Sequence, residues 1–137
     1  MGLIRALTRN RAWTAPDSPD RRLRGREYPV PYAEVWEAAL DTARKRPRWT
    51  VTEAKPRTGE IHAEARTALW KFIDDVTIRV SLDGDGMTRV DVVSQSRVGK
   101  ADLGTNARRI ARFLHALDRQ IRRRAGGAEP RKSGSGK

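Results

Sequence analysis

Two alternating runs constrain this chain more than anything else in it. Val76, Ile78, Val80 and Leu82 share one parity while Thr77, Arg79, Ser81 and Asp83 take the other; after Gly84-Asp85-Gly86, Val90 and Val92 alternate with Arg89 and Asp91. Successive side chains of a strand point to opposite faces, so both runs predict half-buried strands. Only a pairing of Val80 with Val90 and Ile78 with Val92 keeps the apolar residues on one face, because a one-residue slip moves a whole strand's side chains across the sheet. That register predicts a three-residue loop, Gly84-Asp85-Gly86, with Gly86 in a left-handed bulge position. It sets Arg79 opposite Asp91 as an expected cross-strand ion pair. It also carries Val76 to Ser94 and Asp74 to Ser96, so the inner face turns polar at one end, and polar groups there need internal partners, water or a ligand.

The flanking segments supply the second layer. Pro31 and Glu34 mark a helix start, and Trp36, Ala39, Leu40 and Ala43 form its apolar stripe. Arg44-Lys45-Arg46 then Pro47 end it. Trp49, Val51 and Ala54 predict a strand; Lys55-Pro56-Arg57-Thr58-Gly59 reads as a turn, and Ile61, Ala63 and Ala65 as the inner face of the next strand. Leu69-Trp70-Lys71-Phe72-Ile73 is a dense apolar cluster at a hairpin corner. After Ser96, Asp102 is placed to cap a last helix. Leu103, Ala107, Ile110, Leu114, Leu117 and Ile121 form its core stripe, and Arg108, Arg109, Arg112, Arg119 and Arg122-Arg123-Arg124 its remaining surface. The expected fold is α+β: a helix, a four-stranded antiparallel meander and a C-terminal helix, as a two-layer sandwich with the helices on one sheet face. Residues 32–124 read as the single domain, 1–31 as a basic N-terminal arm and linker in which Leu3, Ile4 and Leu7 have the spacing of a short amphipathic turn, and 125–137 as a Gly/Ser-rich flexible tail.

The net charge of +12 is unevenly spread. Residues 1–32 carry 7 basic and 3 acidic side chains (+4), residues 33–100 carry 12 and 11 (+1), and residues 101–137 carry 10 and 3 (+7). Basicity on the arms and last helix points to general attraction for polyanions or membrane surfaces, and against a sequence-reading nucleic-acid site. With no cysteine, thiol chemistry and Cys-based metal sites are excluded. His62 and His115 each lack a second ligand at metal-binding spacing, so no metal or cofactor is expected. No apolar run has the length of a transmembrane helix or the form of a signal peptide, and the expected location is cytoplasmic, with peripheral membrane contact through the N-terminal arm as an alternative.

A longer pattern underlies the polar end of the sheet. Thr67…Phe72-x-Asp74-Asp75-Val76…Arg79, with Ser94-x-Ser96-Arg97-x-Gly99-x-x-Asp102-x-Gly104-x-Asn106-x-x-Arg109-Ile110, resembles the bacterial and plastid domain-of-unknown-function family 1499 over roughly residues 32–121. Many members of that family look like cell-envelope or lumenal proteins with a cysteine-containing segment ahead of the domain; these 137 residues contain no cysteine, so an envelope or lipoprotein role is not the expectation here. The resemblance implies no activity. Asp74, Asp75, Ser94, Ser96, Arg97, Asp102, Asn106 and Arg109 are the candidate cluster, under two open readings. One is a polar network fixing the strand-to-helix turn, with Arg97 paired to Asp74 or Asp75. The other is a small anionic or polar-headed ligand held by Arg97, Arg109 and the helix N-terminus.

Three function classes follow. A non-catalytic binding module for a lipid, small metabolite or protein partner predicts an apolar cavity between the layers with Trp70 and Phe72 at its mouth. A polyanion or membrane-surface protein would use the basic terminal arms. An enzyme of unknown class is the third, but no Ser-His-Asp set, phosphate loop or metal cluster is visible. Asp74 and Asp75, adjacent on a strand, point apart and make a poor acid/base pair.

Overall fold

The computed structural model describes residues 7–8, 10–68, 72–97 and 103–125, with Leu7, Thr8, Leu103 and Ala125 described by backbone alone. Strands β1 (Leu7–Thr8), β2 (Arg11–Trp13) and β3 (Arg26–Tyr28) precede helix α1 (Tyr32–Lys45); a single 3-10 turn, Arg21–Leu23, lies between β2 and β3. Strands β4 (Trp49–Lys55), β5 (Glu60–Arg66), β6 (Ile73–Leu82) and β7 (Thr88–Ser96) then form an antiparallel meander, and α2 (Leu103–Ala125) closes the fold. The sheet runs β1-β2-β7-β6-β5-β4, and β3 also pairs with β7. Both helices pack on one face: α1 against β4 and β6, α2 against β2 and β7. The architecture is the expected α+β sandwich.

The central hairpin has the register that the alternation requires. Val80 faces Val90, Ile78 faces Val92, Val76 faces Ser94 and Asp74 faces Ser96. Asp83 donates its backbone N–H to the Met87 carbonyl at 2.7 Å to close the loop, and Gly86 sits at φ 86°. Arg79 does lie opposite Asp91, but the expected ion pair between them does not form. Arg79 pairs instead with Glu60 on β5, its neighbour on the other side. Asp91 is engaged by Arg89 at 2.8 Å and by the Thr14 hydroxyl at 2.6 Å. An interior strand has two cross-strand neighbours, and the hairpin pattern alone specifies only one of them.

The N-terminal segment read as arm and linker is built into the sheet. β2 pairs with Val93–Gln95 and β3 with Thr88–Val90, end to end along the same edge of β7. Leu7–Thr8 and Arg11–Trp13 are strands where an amphipathic turn was expected around Leu7. The physical reason is β7 itself. Left with only β6, its other edge would expose a row of unpaired N–H and C=O groups, which β2 and β3 satisfy. Thr14 bridges the two, donating its N–H to the Val92 carbonyl while its hydroxyl oxygen accepts from the Val92 N–H, each at 3.0 Å.

The core lies between sheet and helices. Val35, Ala38, Ala39 and Ala43 of α1 meet Ile61, Ile78 and Val80, while Ile110, Phe113, Leu114 and Leu117 of α2 are fully buried. Trp49 stacks on Phe113 with ring centroids 5.6 Å apart. A bulge between Val51 and Glu53 returns Ala54 to the inner side, which explains the 49, 51, 54 spacing in the sequence. Among the described residues no helix is long and apolar enough to cross a membrane.

Gly59 adopts φ 79°, and a Cβ there would lie 2.1 Å from the Val80 carbonyl oxygen. A Cβ on Gly84 would meet nothing within 4 Å. Gly59→Ala is therefore expected to destabilise the fold by more than about 1 kcal/mol, while Gly84→Ala stays within about 0.5 kcal/mol of the parent. Urea titration of the two variants checks the contrast.

Candidate functional site

The polar end of the inner face is a closed network. Period-2 alternation on β6 and β7 turns Asp74, Ser94 and Ser96 inward, and Asn106 and Arg109, three apart on α2, face them from above. Asp74 is 2% exposed and accepts Arg109 Nη1 at 2.8 Å. The same nitrogen lies 3.1 Å from Ser94 Oγ and 2.9 Å from Asn106 Oδ1. Ser94 donates to Asn106 Oδ1 at 2.7 Å, and Asn106 Nδ2 donates to Ser96 Oγ at 3.0 Å. These five side chains answer one another, as buried polar groups must. The arrangement joins helix to sheet through charge-assisted bonds.

Asp75 and Arg97 belong to the other face. Arg97 donates through Nε and Nη2 to both Asp75 oxygens, at 2.9 and 2.8 Å, and through Nη2 to Glu64 at 2.9 Å. The sheet separates Arg97 from Arg109, so the two do not form the expected joint anion site. One residue of offset decides this, since Asp74 and Asp75 point to opposite sides. Asp102 and Trp70 lie outside the described residues, and Phe72, at the β5–β6 corner, is 44% exposed.

A second cluster was not singled out by sequence reasoning. A groove of about 480 Å³ is lined by Arg22, Arg26, Arg46, Arg112, His115 and Arg119, with Ala111 and Ala116 as the apolar lining. Arg112, His115 and Arg119 project from the side of α2 away from its core stripe, Arg46 follows the end of α1, and Arg22 and Arg26 come from the 3-10 turn and β3. The N-terminal wall is fixed by Asp118, which accepts Arg26 Nε at 2.9 and 3.0 Å and the Tyr28 hydroxyl at 2.6 Å. Burial and the neighbouring Asp118 push the Tyr28 hydroxyl's pKa well up, keeping it a donor.

Two of the five arginines are neutralised locally, Arg22 by Asp20 and Arg26 by Asp118. Among the described residues Arg46, Arg112 and Arg119 have no acidic partner. Burial, followed by the nearby positive charge of Arg112, lowers the pKa of Arg46. Guanidinium groups gathered in a groove without counter-charges bind phosphate, sulfate or carboxylate groups bidentately. The sequence signal was the i, i+3, i+7 spacing of Arg112, His115 and Arg119, which by itself describes a solvated helix face. Among the described residues no group of three His, Asp or Glu side chains could hold a metal ion.

The family model described as "Protein of unknown function (DUF1499)" matches residues 6–117. Among solved structures the chain is similar to one titled "Crystal structure of Ara h 8.0201", at 13% identity, covering 72% of this chain and 91% of that one with a TM-score of 0.36. No match was found among curated proteins.

Two outcomes follow from the network and the outer ion pair. Arg109→Met leaves Asp74 buried and unpaired and is expected to cost about 3–5 kcal/mol in chemical denaturation, most of it recovered when Asp74→Leu is added. Asp75 is held below the ordinary carboxylate range, chiefly by hydrogen bonds from Arg97. A depressed carboxylate contributes stability above its unfolded pKa of about 3.9 and loses it as pH falls through the lower folded value. Arg97→Ala should therefore lower the melting temperature slightly at neutral pH, and the gap between parent and variant should close as pH drops below about 3.9.

Proposed function

The chain belongs to the DUF1499 family of proteins of unknown function, which carries no activity over to it, and we propose that it is a non-catalytic binding module for phosphate-bearing anions, held in the arginine groove. The observation behind this reading is that Arg46, Arg112 and Arg119 line one concavity without an acidic partner among the described residues. A solvated surface arginine needs no neighbour, but three lining one opening repel one another unless an anion lies between them. Among the described residues alanine is the only apolar lining, so the groove offers charge and forked hydrogen bonds rather than an apolar bed. That favours an anionic ligand over the lipid or small metabolite expected in an apolar cavity between the layers, where the described interior is filled by Phe113, Leu114, Ile78 and Val92.

The non-catalytic part of the proposal is supported by the lining itself. Among the described residues it contains no carboxylate and no hydroxyl, and His115 is its sole side chain of the general-base type. The cytoplasmic location expected from the sequence remains part of this reading.

Titration with inorganic tripolyphosphate at low salt, followed by amide chemical shifts, tests it. Saturable shifts are expected in residues 22–26, 46 and 111–119, with the phosphate recovered intact. Arg112→Glu with Arg119→Glu should weaken binding at least about tenfold without lowering the melting temperature, since both side chains are off the core. Shifts confined elsewhere, or binding unchanged in the variant, would show that the groove is not the site.

A further inference from the structure

Resting on the groove reading above, we infer that its ligand is a chain of repeated phosphate groups lying along α2, bound through the phosphates alone, rather than a compact phosphate ester or a flat anionic surface. The basic residues on the groove side of α2 do not stop where the groove does. Arg112, His115 and Arg119 continue at the same 3-4-3 spacing to Arg122, which is exposed. Arg122 is close enough to Tyr28, two residues from Arg26 on β3, to act on its hydroxyl electrostatically. One basic side chain per helical turn, about every 5.4 Å, makes a track of roughly 15 Å from Arg112 to Arg122. A compact ligand would need these charges to converge on a point; here they are laid out in a line.

The other wall follows the same direction. Arg46, at the end of α1, lies near Arg112, while Arg26 is tied to Asp118, one residue from Arg119. Opposite α2, therefore, an uncompensated arginine stands at the Arg112 end of the track and an arginine paired with Asp118 farther along it. A chain occupying it would meet arginines from two sides.

What the lining lacks defines how such a chain is read. Among the described residues no Phe, Tyr or Trp ring lines the groove for a base to stack on, and no amide or carboxylate side chain lines it to read a base edge. Contacts limited to phosphates carry affinity without sequence information. Among the described residues the large exposed apolar side chains, Phe72 and Leu82, lie on the β5–β6 corner and at the end of β6, not beside the groove where they would anchor a membrane.

Fluorescence anisotropy with the full chain decides between these occupants. The probes are inorganic polyphosphate of increasing length, a single-stranded oligothymidylate, tripolyphosphate as the compact anion, and vesicles containing phosphatidylserine. Affinity should rise at least tenfold from tripolyphosphate to chains long enough to fill the track, then level off per site. With about four phosphates neutralised, raising salt from about 50 to 200 mM should weaken single-strand binding roughly 50-fold. Arg122→Gln should weaken the long chains and leave tripolyphosphate binding unchanged. Whichever of polyphosphate and oligothymidylate binds more tightly names the source of the phosphates. Equal affinity for tripolyphosphate and long chains overturns the chain inference while the groove reading stands. Tighter binding to vesicles than to chains overturns it in favour of a surface. No binding of any probe removes both readings.

Discussion

The two-sided pairing of β7 is the constraint on which the rest of the structure depends. β6 occupies one edge along nearly all of its length, and β2 and β3 share the other, so that strand holds together the meander and the N-terminal segment. Its inner face, Val90, Val92, Ser94 and Ser96, passes from apolar to polar along its length. Helix α2 answers that gradient, laying Phe113, Leu114 and Leu117 in the core and turning Asn106 and Arg109 toward the polar end. The ends of the helix are thus matched to the ends of the strand by chemistry as well as by shape.

The Asp74–Arg109 network illustrates why charge inside a fold does not by itself indicate a ligand. A buried carboxylate carries a large desolvation cost, and the arginine that offsets it is consumed in doing so. Arg109 has its Nη1 within bonding distance of Asp74, Ser94 and Asn106. The groove arginines are in the opposite condition. They are partly solvated, so their cost is small, and three of them are left without an acidic partner among the described residues, which keeps them available to an external anion. The distinction lies in the partners and not in the residue type.

Much of the fold is legible in the order of the residues. The strict alternation from Val76 to Leu82 and from Arg89 to Val92 fixes the hairpin register, and the register carries Asp74 to Ser96 without further information. The inward cluster of Asp74, Ser94, Ser96, Asn106 and Arg109 is likewise readable, since strand parity and helix spacing both obey local geometry. The ion pair of Arg79 and the joint role given to Arg97 and Arg109 are not. Each depends on which of several neighbours a long side chain reaches, and that is settled across strands or across the sheet. Residues 7–28 are harder still. Short strands of two or three residues carry no periodicity to detect, and their pairing is dictated by the open edge of a strand some 80 residues away in sequence.

The sequence by itself determined the α+β class, the central register, the helix faces and the polar turn of the inner face, because each follows from backbone periods of 2 and 3.6 acting within a few residues. Only the tertiary structure decided where the basic side chains meet. Arg22 and Arg26 reach α2 through an N-terminal segment that has the composition of a linker, and Arg26 is joined to Asp118 across 92 residues. A groove is made of two walls. The spacing on α2 described one of them, and only long-range packing brought up the other.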